Sequence, residues 1–87
     1  MPAKPIRIGQ HARFEMRRRG VRPIDVVRMI RSPGQVLPSF KGRRIFQGLI
    51  GRAHRLLLRV IVKEDASAYH VVTVYKTSKI AKYWKTP

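Results

Sequence analysis

The sequence predicts an α+β fold: two N-terminal helices packed on an antiparallel sheet of about four strands, followed by a short C-terminal helical turn. Two segments with helical spacing of apolar residues come first, and four segments rich in β-branched and apolar residues follow. With 87 residues the chain can build one small core. We therefore expect a single domain over 1–87, with 1–9 and 85–87 loosely ordered.

The first helix is predicted over residues 10–19. At about 100° per residue, Ile8, Ala12 and Met16 fall on one stripe, which we expect to be buried. Gly20 follows as a suitable residue for the left-handed position after a helix. The preceding segment KPIRI fits a short edge strand, because Pro5 has no N–H to donate within a sheet.

The second helix is predicted to begin at Pro23 and to stop at SPG, residues 32–34. Asp25 suits the positive N-terminal end of such a helix. Its apolar residues cover a wide arc, so it should be more buried than the first helix. They are Ile24, Val26, Val27, Met29 and Ile30.

The strand patterns are QVLPSF, RRIFQGLI, RLLLRVIVK and YHVVTVYK, separated by Lys41-Gly42, GRAH and EDASA. Pro38 indicates that the first of these strands is an edge strand. The nearly continuous apolar run 56–62 is the best candidate for the centre of the sheet. Arg59 interrupts that run, so it is either paired inside the protein or placed on the open face beside a site.

The segment TVYKTSKIAKYW, residues 73–84, combines the end of the last strand with a helical turn. Thr77 or Ser78 can cap the turn, and Ile80, Tyr83 and Trp84 have the spacing of one helix face. The apolar side should therefore pack on the sheet. The three lysines outside that face should remain in solvent: Lys79, Lys82 and Lys85.

The charge balance is the most unusual feature of the composition. Lys and Arg number 20 against four Asp and Glu, which gives a net charge of +16. A compact domain with this charge repels itself unless a polyanion or an acidic partner neutralises part of it. Cysteine is absent and the histidines lack metal-ligand spacing, so we expect no metal and no cofactor. Without a signal sequence or a membrane-span pattern, we expect a cytosolic protein.

Four segments in this order resemble a family of small bacterial domains of unknown function. They are HARFEMRRRGV, DVVRMI, LLLRVIV and VVTVYKTSKIAKYW, and together they extend from His11 to Trp84. In that family His-Ala opens the first helix, Arg-Gly closes it, and a Thr-Val-Tyr strand leads to Ser-Lys and a Tyr-Trp end. The family is similar in the order of its helices and strands to the RelE, ParE and BrnT toxins.

The resemblance implies a helix pair on a curved antiparallel sheet and a neighbouring acidic antitoxin that wraps the domain. Many RelE-like proteins cut RNA without a metal, with basic and tyrosine side chains on the open face of the sheet. ParE-like proteins with the same fold act on DNA gyrase instead. The fold alone therefore does not determine the function.

Metal-free RNA cleavage requires proton transfer and positive charge at the phosphate. His11 lies within the family-like pattern and could transfer a proton, although a histidine here could equally be an exposed or capping residue. Arg19 must either reach solvent or face a cleft between helix and sheet. Tyr75 and Lys79 follow the last strand, where a side chain can point over the open face. Our catalytic candidates are therefore His11, Arg19, Tyr75 and Lys79.

Phe14 points among arginines on the first helix, where either another element covers it or it stacks on a base or docks a partner. The predicted nucleic-acid-binding residues are Arg13, Phe14, Arg17, Arg18, Arg59, Lys76, Lys82 and Tyr83.

Three hypotheses remain open from the sequence. The first is a RelE-like toxin domain that binds RNA at the ribosome, with or without cleavage. The second is a non-catalytic basic module that binds nucleic acid through phosphates and stacked aromatic residues. The third is a toxin-like domain that binds an acidic protein partner or gyrase.

Overall fold

The computed structural model describes residues 4–85 and combines three helices with one five-stranded sheet. The strands are β1 (Ile6–Ile8), β2 (Gln35–Pro38), β3 (Arg44–Ile50), β4 (Leu56–Glu64) and β5 (Tyr69–Thr77). The helices are α1 (Gln10–Arg18), α2 (Pro23–Arg31) and the single turn α3 (Ile80–Tyr83). Short 3₁₀ turns at Phe40–Gly42 and Arg52–His54 join β2 to β3 and β3 to β4. The predicted α+β class is confirmed.

The sheet has the order β1-β5-β4-β3-β2, one strand more than the expected four. The additional strand is the predicted edge strand at KPIRI, which pairs in parallel with β5 through Ile6 opposite Tyr69. Within the segment 1–9, for which we expected loose order, Ile6–Ile8 are hydrogen-bonded into the sheet. Residues 1–3 and 86–87, also expected to be loose, lie outside the described residues.

Several local predictions are confirmed at their boundaries. The first helix ends at Arg18, one residue before the predicted end, and Gly20 has the left-handed φ of +68° that its position after the helix requires. Pro38 lies in β2, which is an edge strand. The strand built on the apolar run 56–62 is β4, which lies at the centre of the sheet order.

The core lies between the helices and one face of the sheet, which we call the helix face. Leu58, Val60 and Val62 of β4 are buried there against Met16 of α1 and Val26 of α2. Of the predicted α1 stripe, Ala12 and Met16 are buried, while Ile8 lies in β1 and packs against the core from the side.

A glycine permits the close packing of α2 on the sheet. A Cβ at Gly48 of β3 would lie 2.9 Å from the Met29 sulfur, so a larger residue would displace the end of the Met29 side chain. The missing side chain at residue 48 therefore leaves room for Met29 of α2 against β3.

The other face of the sheet, the open face, is crossed by the end of the chain. Residues 78–85, which we call the C-terminal strap, run from the end of β5 towards β2. Gln47 of β3 donates a hydrogen bond to the Tyr83 carbonyl at 3.1 Å, and the Lys85 N–H donates to Gln35 of β2 at 3.1 Å. The Trp84 ring reaches Gly34, where a Cβ would lie 3.0 Å away. The strap therefore covers the middle of the open face.

Candidate nucleic-acid interface

The centre of the open face carries a row of polar side chains across three neighbouring strands. Gln47 of β3 lies opposite Arg59 of β4, and Arg59 lies opposite Tyr75 of β5. The Arg59 Nε donates a hydrogen bond to Gln47 Oε1 at 2.8 Å, and its Nη1 donates to the Tyr75 hydroxyl. The register of the sheet thus places a guanidinium between an amide and a phenol.

Two tyrosine rings lie next to the guanidinium of Arg59. Tyr83 belongs to the strap and Tyr75 to β5. The central carbon of the guanidinium lies 4.3 Å from the ring centroid of Tyr83 and 5.6 Å from that of Tyr75. The two tyrosine rings meet edge to face, with centroids 6.3 Å apart. Stacking on tyrosine faces is favourable for a guanidinium, so the rings hold it in position.

Arg59 is only 8% exposed and has no carboxylate partner in the described part of the chain. All four acidic residues of the chain lie within residues 4–85, and each pairs elsewhere: Glu15 with Arg18 and Arg19, Asp25 with Arg22, Glu64 with Lys4 and Arg44, and Asp65 with His70. A buried charge is costly unless a counter-charge and hydrogen bonds compensate it. Among residues 4–85 only neutral groups compensate it, so no described carboxylate neutralises this buried positive charge.

The amide of Gln47 links this cluster to the strap. Gln47 is fully buried, and its Nε2 donates to Gln35 Oε1 at 2.8 Å as well as to the Tyr83 carbonyl. Gln35 in turn bonds both the N–H and the carbonyl of Lys85. The strap itself contains no fully buried residue in α3. Many of the contacts between the strap and the sheet are therefore hydrogen bonds, and part of the sheet surface beneath the strap is polar.

The four predicted catalytic residues do not come together. Arg19 lies on the helix side, where its Nη1 donates to the Val74 carbonyl at 2.9 Å and its Nη2 pairs with Glu15. His11 is exposed on α1, whereas Tyr75 lies on the open face and Lys79 is exposed at the start of α3. Because side chains alternate along a strand, Val74 enters the core and Tyr75 points the other way. The fold therefore does not bring all four residues into a single catalytic site.

The predicted nucleic-acid-binding residues divide into two groups on opposite sides of the sheet. Arg59, Lys82 and Tyr83 lie on the open side, with the Lys82 ammonium 5.3 Å from the Tyr83 ring centroid. The α1 group is exposed in solvent: Arg13, Phe14, Arg17 and Arg18. Lys76 belongs to the helix side, where its ammonium donates to the Gly20 carbonyl at 3.2 Å.

Phe14 is 55% exposed. The reading in which a strand or the C-terminal tail covers it is therefore wrong. Phe14 is an aromatic side chain in solvent beside the arginines of α1, which keeps it available to a base or a partner.

Charge is distributed unevenly between the two ends of the sheet. The end at which β3 and β4 join, which we call the hairpin end, also contains the end of β5, because Leu57 pairs with Thr77. Exposed cations gather there from several elements: Arg28 and Arg31 of α2, Arg52 and Arg55 of the turn, and Lys79. Glu64 and Asp65 lie at the opposite end, where β4 joins β5.

Sequence reasoning missed Gln35, Gln47 and the arginines of the hairpin end, although it had singled out Lys79. A usable signal was present for Gln47, since it is a polar residue in the apolar run IFQGLI just as Arg59 is in LLLRVIV. Two such interruptions in neighbouring strands indicate a pair across the sheet.

Asp65 and His70 are explained by the turn between β4 and β5. The hydroxyl and N–H of Ser67 and the N–H of Ala68 donate to Asp65 Oδ1, and these bonds hold the pKa of the carboxyl far below its usual range. The Asp65 Oδ2 contacts His70 Nε2 at 2.9 Å. His70 is thus part of the turn structure rather than of the open-face cluster.

Within residues 4–85, no group of three His, Cys, Asp or Glu residues is arranged to hold a metal ion. Over the same residues, no helix is both long enough and apolar enough to cross a membrane. Comparison of the chain with protein-family models, with curated proteins and with solved structures found no match.

Proposed function

We propose that this chain is an RNA-binding domain of the RelE-like toxin type, and that it binds the RNA backbone on its open face. The observation that carries the proposal is Arg59, a buried arginine at the centre of that face that has no carboxylate partner among residues 4–85. The helix pair followed by four antiparallel strands supports the resemblance seen in the sequence, to which the short parallel strand β1 adds a strand before the helices.

The chemistry of the cluster suits a phosphate and a base. The guanidinium of arginine presents a planar fork of donors that matches phosphate oxygens. Tyr75 and Tyr83 supply ring faces next to it, and unpaired RNA bases stack on such faces. The excess of cations over carboxylates adds long-range attraction for any polyanion.

RNA reaches Arg59 only after the strap has moved away, because Tyr83 and the strap backbone lie over the cluster. The strap is attached largely through Gln35 and Gln47, and a phosphate would replace the Tyr83 contact with a charge-matched one. Binding and opening of the strap are therefore coupled in this proposal.

Cleavage of the bound RNA is a second candidate function, favoured by the hydrogen bond between Arg59 and Tyr75. The 2′-oxygen would attack the phosphorus and the bond to the 5′-oxygen would break, with Arg59 stabilising charge on the phosphate, Tyr75 donating a proton to the leaving oxygen and water taking the proton of the 2′-hydroxyl. A base for the 2′-hydroxyl is the part that the cluster lacks among the described residues, since His11, His54 and His70 lie elsewhere. Binding is therefore the primary proposal.

Induced expression in a bacterial host, with primer extension on total RNA, tests the toxin-type reading. Wild type should arrest growth, Arg59→Met should abolish the arrest, and new discrete 5′ ends in messages would add cleavage. Tyr75→Phe separates the two functions, because it should remove new 5′ ends while RNA binding is kept. Arg7→Gln is the matched control, since it removes one exposed positive charge from β1.

Growth arrest that persists unchanged in Arg59→Met would contradict the assignment of the site. Unchanged growth with intact RNA in the wild type would contradict the toxin type. If the wild type captured an acidic protein in place of RNA, this would favour the third hypothesis, in which the positive charge binds an antitoxin-like partner or gyrase.

A further inference from the structure

A cavity of about 520 Å³ lies between the end of α2, the end of β3 and the turn that joins β3 to β4. It is separate from the open-face cluster, since none of Gln47, Arg59 and Tyr75 lines it. Its size lies within the range of roughly 300–1,000 Å³ that is usual for sites of small organic ligands. The apolar residues that line it are Met29 and Ile50 on the helix side and Leu49 at its edge.

The apolar lining is built by the close approach of α2 to β3. Met29 lies against Gly48, where a Cβ would be only 2.9 Å from its sulfur, so this side chain lies flat on the strand. Leu49 lies two residues after Gln47 and so projects from the open-face side of β3, where its large apolar side chain is 41% exposed at the edge of the cavity. An apolar side chain kept open to solvent at the edge of a cavity is suited to contact with a planar ring.

The rim of the cavity is cationic. Arg28 and Arg31 line it from α2, His54 lines it from the turn, and the two arginines have no carboxylate partner within residues 4–85. The two full charges outweigh the partial negative charge that the C-terminal end of a helix carries. The rim therefore favours an anion.

Asp25 also lines the cavity, but its charge is already matched. Arg22 donates to both carboxylate oxygens, at 3.0 and 3.1 Å, and these hydrogen bonds lower the pKa of Asp25. The carboxylate thus stays ionised and hydrogen-bonded to Arg22, and it also interacts with the charge of Arg28. This one carboxylate faces Arg22, Arg28 and Arg31, so the rim keeps an excess of positive charge.

The turn that positions His54 has an unusual backbone. Gly51, Ala53 and His54 have φ values of +82°, +58° and +51°, and the left-handed region is unfavourable for the last two. Strained backbone is found preferentially at binding sites, where other interactions compensate it. The strain here lies in the residues that bring the imidazole to the cavity.

We propose that this cavity binds one nucleoside monophosphate unit. The base lies on Met29, Leu49 and Ile50, and the phosphate is bound by Arg28, Arg31 and an N–H of His54. The unit is either a free nucleotide or the phosphorylated end of an RNA strand, which have the same chemistry at this site. The proposal adds a second site and does not depend on binding of RNA to Arg59.

Isothermal titration of the purified chain with AMP, GMP, CMP and UMP tests the proposal. The corresponding nucleosides test the contacts to the base, and inorganic phosphate tests the contacts to the phosphate. At least one monophosphate should bind more tightly than its nucleoside and than phosphate. Arg31→Gln should weaken that binding roughly tenfold, which is the usual effect of losing one hydrogen bond to a charged group. Leu49→Asn should weaken binding of the monophosphate and leave the affinity for inorganic phosphate unchanged.

Lys63→Gln is the matched control, because it removes one exposed charge at the opposite end of the sheet and should change the affinity less than twofold. Arg59→Met should also leave nucleotide binding unchanged, which separates this site from the open-face cluster. Equal binding of phosphate and monophosphate, or an equal loss in Lys63→Gln and Arg31→Gln, would overturn the proposal.

Competition identifies the source of the nucleotide. A short RNA that displaces the monophosphate only when it carries a terminal phosphate assigns the site to RNA ends. Failure of both RNA forms to displace it assigns the site to free nucleotides. Displacement by both forms alike, with no dependence on the terminal phosphate, would contradict a site for a phosphorylated end.

Discussion

Replacing Arg59 by methionine should leave the free energy of unfolding nearly unchanged, whereas replacing it by lysine should lower it. Arg59 is 8% exposed and is held by Gln47, by Tyr75 and by the ring of Tyr83. Methionine keeps most of the volume and removes the charge. Lysine keeps the charge and removes the planar fork of donors.

The magnitudes follow from the contacts. In Arg59→Met the Gln47 oxygen loses its donor, which costs about 1–3 kcal/mol for a buried acceptor. Loss of the guanidinium–tyrosine contact costs about 0.5–2 kcal/mol more. Removing the unpaired buried cation stabilises the folded state by several kcal/mol, because its desolvation no longer has to be compensated. We therefore expect a net change within about 1 kcal/mol for methionine, and for lysine, which gains no such relief, a loss of about 2–3 kcal/mol.

Urea denaturation provides the measurement, followed by two signals. Trp84 is the single tryptophan and lies in the strap, so its fluorescence reports release of the strap. Circular dichroism reports the loss of the sheet and helices. Coincidence of the two transitions shows that strap and sheet unfold together, which makes the fitted free energies comparable between variants.

The reasoning is refuted if Arg59→Met loses more than about 3 kcal/mol while Arg59→Lys stays close to wild type. That order would mean that the buried charge stabilises the fold. The buried charge of Arg59 would then be explained by its role in stability, and it would no longer be evidence for an anion-binding site.

Three other expectations concern the turns and the strap. Ala53→Gly should raise the free energy of unfolding by about 0.5–1 kcal/mol, because it removes the left-handed strain at φ +58°; a loss of stability in urea would contradict this. Since the pKa of Asp65 is lowered in the folded state, the stability it contributes is present above the ordinary value of 3.8 and is lost as the pH falls below it. Asp65→Asn should therefore show a shallower fall in melting temperature on acidification, and a fall as steep as in wild type would argue against it. Gln35→Ala removes two hydrogen bonds to Lys85, worth about 1 kcal/mol each, as well as the bond that Gln35 accepts from Gln47, so RNA affinity should rise up to about thirtyfold in a filter-binding titration; an unchanged affinity would speak against opening of the strap.

Local sequence signals predicted much of the fold. Gly20 marked the end of the first helix, Pro38 marked an edge strand, and the apolar run 56–62 marked the central strand. Each signal depends on the backbone requirements of a few neighbouring residues, so it can be recognised without knowing what packs against it.

The elements that were not predicted depend on contacts between distant parts of the chain. The parallel pairing of Ile6–Ile8 with β5 joins residues more than sixty positions apart, and no local pattern indicates it. The path of the strap is similar, because it depends on hydrogen bonds from Gln35 and Gln47.

The candidate site was predicted in parts. Arg59, Tyr75 and Tyr83 were recognised one by one, but sequence reasoning combined Tyr75 with Arg19, which lies on the other side of the sheet. Only the register between β3, β4 and β5 shows that Tyr75 belongs with Arg59 and Gln47.

The most direct test of the proposed function is the affinity of the purified chain for a short single-stranded RNA, measured against salt concentration. The wild type should bind with a logarithmic affinity that falls linearly with the logarithm of salt. Arg59→Met should bind at least about tenfold more weakly at each salt concentration, whereas Arg7→Gln should stay within about twofold of wild type. Equal losses in Arg59→Met and Arg7→Gln would contradict a site at Arg59 and would reduce RNA binding to the net charge of the surface.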